Sequence, residues 1–386
     1  MTELIDLTDV PVVDNHCHAL ESDQAADVAR WRQLFTESPD PSMRAHDAAE
    51  TAFYRRLIRA MAAHFGVEGG EEAVLEARAA LTTDELVSSM FRDASIGGVV
   101  VDTGYPAPEA AMPVAAFRSA TQAQYVALLR LEVLFQQLVA EQTSYDDLLG
   151  AAHAELISAR RQGYAGFKSV VGYRTGLSIE RWSVDDARGA FALAREEVER
   201  SGSVRLGYKP LLDTLLHLAF SVAADGGLPV QFHVGYGDPD ADLRAAAPLE
   251  LRNVLEERAY RSMPVVLLHG CWPYVREGAY LAAVYGNAYL DVSYAIPFLS
   301  RGEMLAMTRA ALAAAPFTKL MYSSDGARVP ELYWLGAHDG RRALSTALGE
   351  LVADGDLDAD EARRAGERIL RGNALSLYGF PTDSAS

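Results

Sequence analysis

Eight short apolar runs, each closed by turn-forming residues, punctuate the chain. They read VPVVDN (10–15), IGGVVVDTG (96–104), QYVALLRLE (124–132), YAGFKSVVG (164–172), LPVQFHVG (228–235), MPVVLLHG (263–270), AYLDVS (288–293) and KLMYSSD (319–325). Continuous apolar character marks strands covered on both faces. Between the later runs lie stretches with apolar residues at helical spacing: 145–163, which ends in Gly163, then 210–227, 248–262 and 301–316. Strands alternating with helices predict a parallel sheet, and eight of them predict a closed (β/α)8 TIM barrel formed by residues 1–386 as one domain.

The first gap breaks the rhythm. Residues 20–95 separate the first two runs and hold four helix-like stretches, at 27–38, 47–66, 69–81 and 82–98. They predict a helical insertion on the barrel mouth, serving as a lid or an oligomer surface. Near the other end, Asp358 with Glu361 three residues on reads as a capping box before a tail helix.

Composition narrows the classes. The content is 49% hydrophobic and 23% charged, ordinary for a globular protein. No apolar run is long enough to cross a bilayer, and the first ten residues lack signal-peptide character, so the expectation is no membrane association and a cytoplasmic location. Two cysteines, Cys17 and Cys271, suit a reducing compartment rather than a disulfide framework. A net charge of −18 repels phosphate backbones and argues against a nucleic-acid partner. A small-molecule substrate is the remaining expectation, with self-association left open.

The chemistry gathers at the ends of the apolar runs. Alternation along a strand puts His16 and His18 on one face with Cys17 opposite, so two imidazoles can grip one cation. Alone, such a pair is as often a set of satisfied strand-end histidines. Here, however, the fifth run ends in His233, the sixth in His269 and the eighth in Asp325, and Lys168 lies in the fourth. The C-terminal ends of barrel strands are where active sites form. The other histidines, His46, His64, His153, His217 and His338, fall in helices or after the last strand and read as structural or exposed.

This arrangement resembles the amidohydrolase superfamily over nearly the whole chain. The segments GFKSVVGYRTGL, FHVGYGDPDADLR, YLAAVYGNAYLDVS and SSDGARVPELYWLGA resemble its amidohydrolase-2 branch, and within it the stand-alone nodulin/FluG-like domains. One departure is visible: a sequence like SSDAH is expected after the eighth strand, and this chain has Gly326, Ala327 and Arg328 there.

The resemblance implies that His16, His18, His233 and Asp325 hold one divalent metal, with Zn2+ first and Mn2+, Fe2+ or Co2+ as alternatives. It implies Asp325 as the base that accepts a proton from water. His269 then handles a proton or polarises the substrate, or in a binuclear centre binds a second metal together with a carboxylated Lys168. One ion is favoured, leaving Lys168 as a charged substrate anchor; the bland alternative is an ion pair with Glu132. Arg174 reads equally as a clamp for an acidic group of the substrate or as one half of a surface ion pair, with Tyr173 and Glu331 as weaker mouth candidates. Asp238 and Asp240 read as turn-formers. The implied activity is metal-dependent hydrolysis of the C–N bond of a small polar or acidic amide, extending to γ-glutamyl amides. Non-oxidative decarboxylation and a catalytically silent interaction module are the alternatives.

Overall fold

The computed structural model describes residues 4–24 and 27–380. Its strands form one sheet in chain order: β1 (Val12–His18), β2 (Ile96–Asp102), β3 (Gln124–Arg130), β4 (Tyr164–Ser169), β5 (Val230–Phe232), β6 (Val265–Leu267), β7 (Ala288–Ser293) and β8 (Leu320–Ser323). Every neighbouring pair is parallel, in registers such as Gly98 with Gln124 and Leu290 with Leu320. Among the described residues no ladder joins β8 to β1. The seam closes just past the strands, where Asp325 N donates to His16 O (3.0 Å), His18 N to Gly326 O (2.8 Å) and Arg328 N to Ala19 O (3.0 Å). Leu20 and Arg328 complete it as a parallel bridge. The eight-stranded barrel read from the sequence is present.

Strand alternation divides the apolar residues into two cores. Val13, Val100, Leu128, Val266 and Met321 fill the barrel interior, with Tyr378 and Phe380 among them. Val12, Val99, Val101, Val265, Leu267 and Leu290 join the larger core with the surrounding helices. In β1 the alternation is interrupted: the register with β2 shifts between Asp14 and Cys17. Val13 and Cys17 are four residues apart and would share a face in a regular strand, yet Val13 belongs to the inner core and Cys17 to the outer one. This bulge turns the even-numbered residues inward at the strand end, and with them His16 and His18.

Residues 20–95 hold α1 (Val28–Arg32), α2 (Pro41–Ala45), α3 (Ala52–Phe65), α4 (Glu71–Ala79) and α5 (Thr83–Asp93). Thr51 caps α3 through Tyr54 N, and Gly66 ends it in the left-handed conformation that glycine adopts without a steric penalty. Thr82 and Glu85 form a capping box on α5. The outer ring continues with α6 (Val114–Thr121), α7 (Leu131–Glu141), α8 (Tyr145–Ser158), α9 (Val184–Ser201), α10 (Lys209–Gly226), α11 (Arg252–Glu256), α12 (Val275–Val284), α13 (Arg301–Leu312) and α14 (Pro330–Asp354). The chain ends in α15 (Ala359–Glu367), capped by Asp358 and Glu361 as the sequence predicts, and α16 (Asn373–Tyr378). No helix of the described residues is long and apolar enough to cross a membrane.

Within the predicted insertion, α5 packs against α6 and α14 and so takes its place in the outer ring. The preceding helices are tied to α14 by two buried ion pairs. Arg78 meets Glu331 at 2.6 Å, and Arg56 meets Asp339 at 2.8 Å. This seating brings the segment around Gln33–Glu37 over the barrel mouth.

Candidate metal centre and active-site cavity

The C-terminal strand ends deliver the site. His16 and His18 leave β1 on the interior side of the bulge, and Asp102 and Arg130 end β2 and β3. Lys168 lies next to the end of β4. β5 and β6 are only three residues long, so His233 and His269 stand just beyond them. Asp325 follows β8. His269 and Asp325 both adopt left-handed backbone angles, φ 63° and 58°, which non-glycine residues occupy only under constraint. The constraints are visible: His269 N donates to Asp291 Oδ1 (3.0 Å), and Asp325 N to His16 O.

Three imidazoles converge on the Asp325 carboxylate. Oδ1 lies 3.4 Å from His16 Nε2 and 3.6 Å from His18 Nε2, and Oδ2 lies 3.4 Å from His269 Nδ1. Two ligands held about 2.1 Å from one zinc ion at the tetrahedral angle stand about 3.4 Å apart, so these separations suit atoms arranged around a shared cation. The ligand atoms of His16, His269 and Asp325 all lie within 4.8 Å of one another. His16 Nδ1 is buried without a hydrogen-bond partner among the described residues. The donor set therefore fits a divalent metal.

The electrostatics agree. Burial, reinforced by Lys168, lowers His16 to a pKa of about 4, and burial drives His233 and His269 well below the ordinary histidine range, so all three rings are neutral as ligation requires. Burial opposes ionisation of Asp325, but His269 and His16 outweigh it and hold the carboxyl far below its ordinary range. Burial lowers Lys168 to about 8 despite the nearby carboxylates, and its Nζ stands 3.4 Å from His16 Nε2.

A buried polar layer fixes these groups from below. Ser324 N donates to Asp14 Oδ1 (2.9 Å), and Asn15 Nδ2 to Asp291 Oδ2 (2.7 Å). Gln231 Nε2 donates to Asn15 O (2.7 Å), and Ser293 and Ser323 hydroxyls meet at 2.8 Å. Gly326, part of the departure after the eighth strand, has a packing reason: an added Cβ would lie 2.6 Å from the Tyr333 ring. The Tyr333 hydroxyl in turn donates to His18 O. Arg328 bonds Glu21 Oε1 at 2.7 Å on the rim.

Above this cluster opens a cavity of about 390 Å³, lined among others by His18, Lys168, Tyr173, Arg174, His233 and Asp325. Among the described residues Arg174 Nε is buried without a partner, and Nη1 reaches only the Tyr173 carbonyl at 3.4 Å. The Tyr173 ring packs tilted against His233, centroids 4.3 Å apart and planes at 42°, and its hydroxyl would lie 2.1 Å from a Cβ on Gly237, a close approach that glycine allows.

Three expectations change. Glu331 is fully buried in the ion pair with Arg78 and does not line the cavity, so its carboxylate is taken up by the fold. Glu132 accepts the Ser169 hydroxyl (2.7 Å) at the start of α7 instead of pairing with Lys168. His233 stands behind His269, Nδ1 to Nε2 at 2.9 Å, while its own Nε2 meets the Tyr236 carbonyl at 2.5 Å. As the rings lie, His269 and not His233 faces Asp325. Asp238 is the turn-former anticipated, accepting Asp240 N at 2.9 Å.

Four residues of the site escaped sequence reasoning: Asp102 beside His18, and Arg130, Tyr236 and Glu37 on the cavity wall. Asp102, fully buried, is gripped by Arg130 (Nε to Oδ2, 3.0 Å) and lies 3.7 Å from His18 Nδ1. Burial opposes its ionisation, yet Arg130 and then His18 hold it well below the ordinary range. It ends the run IGGVVVDTG, so the strand-end rule that found His269 would have found it. Tyr236, which donates to Asp325 Oδ2, lies next to the quoted FHVGYGDPDADLR motif's glycines, and Glu37 arrives from the insertion with no sequence signal at all.

Comparison with known proteins places this geometry. FluG of Emericella nidulans is 33% identical over 220 residues, covering 55% of this chain and 25% of FluG. The chain thus spans about a quarter of that relative's length. A proposed metal-dependent hydrolase of Lactobacillus casei is 26% identical with a TM-score of 0.87, covering 98% of both chains. A uronate isomerase of Thermotoga maritima shares the fold alone, at 13% identity and TM-score 0.68 over 96% of this chain and 95% of its own. Residues 13–380 match the amidohydrolase family profile Amidohydro_2. With the metal-ligand types at the strand ends and that match over almost its whole length, the chain belongs to the amidohydrolase family.

Proposed function

We propose that this protein is a metal-dependent hydrolase that cleaves the C–N bond of a small acidic amide, a class that includes γ-glutamyl amides. The observation that carries this reading is the convergence of His16, His18 and His269 on Asp325 beneath a cavity whose cations Lys168 and Arg174 have no carboxylate within 4.0 Å among the described residues.

His16, His18, Asp325 and His269 would hold one ion, with zinc the first choice for imidazole and carboxylate ligands. His233 would enter the set only if its ring left the Tyr236 carbonyl. A divalent ion supplies Lewis acidity and makes water nucleophilic near neutral pH. The chain's own groups do the rest. Asp325, ionised and accepting the Tyr236 hydroxyl, takes the proton of the attacking water and returns it to the departing nitrogen. Arg174 and Lys168 orient the substrate carboxylate through charge-assisted hydrogen bonds. The Gln33–Glu37 segment limits water at the mouth.

The test is metal content and amine release measured on the same preparations. The purified protein should hold about one equivalent of metal, and His16→Ala combined with His18→Ala should lose both metal and turnover while its circular dichroism stays that of a folded barrel. Turnover that survives metal loss would overturn the proposal. The same cation pair also suits a carboxylic acid losing CO2, and bicarbonate release without amine release would move the reading there.

A further inference from the structure

The cavity carries both signs of charge. Glu37, between α1 and α2, lines it with no hydrogen bond or ion pair among the described residues. Burial, and then the charges of Asp325 and Asp238, raise its carboxyl to about 7. Asp238 lines the same cavity, and among the described residues its carboxylate is bonded only by the turn N–H of Asp240. The hydroxyl-bearing rings of Tyr173 and Tyr236 belong to this acidic corner, for both feel the charge of Glu37. The other cavity charges are already matched. Arg205 pairs with Asp240 at 2.7 Å, Arg130 with Asp102, and Arg328 with Glu21. What remains is two carboxylates without a cation, and two cations, Arg174 and Lys168, without a carboxylate.

Two unmatched acids in one half-enclosed corner repel each other, and among the described residues neither has a cation within 4.0 Å to relieve it. A ligand that brings an ammonium group relieves that repulsion, and one that also brings a carboxylate satisfies Arg174. We infer that Glu37, seconded by Asp238, binds the ammonium group of the substrate while Arg174 and Lys168 hold its carboxylate, so that the substrate class is an amino-acid amide rather than a simple acid amide. The inference deepens the proposed hydrolysis and rests on it. It also gives the insertion a role: it delivers the residue that separates zwitterions from plain acids.

Two matched probes test this. γ-Glutamyl anilide and glutaric acid monoanilide carry the same amide and the same carboxylate, and only the first has an ammonium group. The wild type should favour the first in kcat/KM by about 10- to 100-fold, the range of a charge-assisted hydrogen bond. Glu37→Gln should collapse that ratio to within about threefold, and Asp238→Asn should lower it in the same direction. A binding arm is independent of turnover. Calorimetry on the metal-loaded protein should show L-glutamate binding more tightly than glutarate, with the difference lost in Glu37→Gln. Discrimination in binding without turnover of either anilide would defeat the hydrolase reading and leave the ammonium site standing. Equal binding of the two acids, no binding of either, or a Glu37→Gln defect equal on both probes would overturn the ammonium site.

Discussion

Removing either half of the Arg78–Glu331 pair should cost far more than a surface ion pair would. Arg78 Nε lies 2.6 Å from Glu331 Oε1, Nη2 lies 3.4 Å from Oε2, and the two side chains are 4% and 0% exposed. Arg78 also bonds Gln24 Oε1 (3.0 Å) and the Gln24 carbonyl, and its guanidinium covers the Trp31 ring at 4.8 Å. Taking away one partner strands the other as a buried charge, a loss of about 3–5 kcal/mol against a total stability of about 5–15 kcal/mol. Replacing both, as in Arg78→Met with Glu331→Leu, removes the uncompensated charge and should cost less than the sum of the two single changes by at least about 2 kcal/mol. Urea denaturation of the wild type, both single variants and the double variant, followed by circular dichroism, closes this cycle. The effect should reach the mouth, because Gln24 Nε2 bonds Arg328 O at 2.8 Å and Glu21 O at 2.7 Å. In the single variants KM should therefore rise more than kcat falls. Single variants within about 1 kcal/mol of wild type, or strictly additive losses, would refute the reasoning.

Asp325→Asn should reduce kcat by at least about 100-fold with a smaller change in KM, since the amide cannot take a proton from water; unchanged kcat at saturating substrate would show that the base lies elsewhere. Lys168→Ala should keep one equivalent of metal and raise KM for an acidic substrate by about 10- to 100-fold; a fall from two equivalents to one, with activity restored by bicarbonate in the wild type, would instead establish a carboxylated, bridging lysine. Asp14 is raised by burial from 3.8 to about 8, so between those values the folded protein binds a proton that the unfolded chain has lost. Wild-type stability should then fall by about 1.4 kcal/mol per pH unit across that window relative to Asp14→Asn, with no further divergence above it. Denaturation midpoints at pH 5, 6, 7 and 8 check this, and parallel profiles for the two proteins would refute it.

The barrel was legible because parallel strands buried on both faces leave continuous apolar runs, and the strand-end histidines and Asp325 were legible because those runs stop at them. What the sequence concealed has physical causes. Regular alternation from Val13 would turn His16 and His18 outward; only the bulge, invisible in a string of letters, brings them in. Helix α14 shows no helical period at its start because every residue from Pro330 to Ala337 is buried. That burial also accounts for Glu331: a carboxylate in a motif near the mouth reads as a substrate contact until its buried arginine partner, 253 residues away, is located. The order of His233 and His269 around Asp325 depends on ring orientation, which spacing does not encode. Glu37 depends on where a long insertion comes to rest.

The seam between β1 and β8 ties the chemistry to the order in which the chain is made. The backbone bonds that close the barrel run between the segments bearing His16 and His18 and the segment bearing Asp325, and the supporting bond from Ser324 to Asp14 spans 310 residues. During synthesis, the two histidines therefore emerge long before the carboxylate on which they converge, and a growing polypeptide has no assembled centre until its eighth strand has left the ribosome. On the proposed reading, metal capture is a late, post-closure event. A circularly permuted version, cut in the exposed turn of residues 160–163 between α8 and β4 and joined through its former ends, would carry β8 and β1 out of the ribosome one after the other, so the centre would assemble from neighbouring segments of the nascent chain.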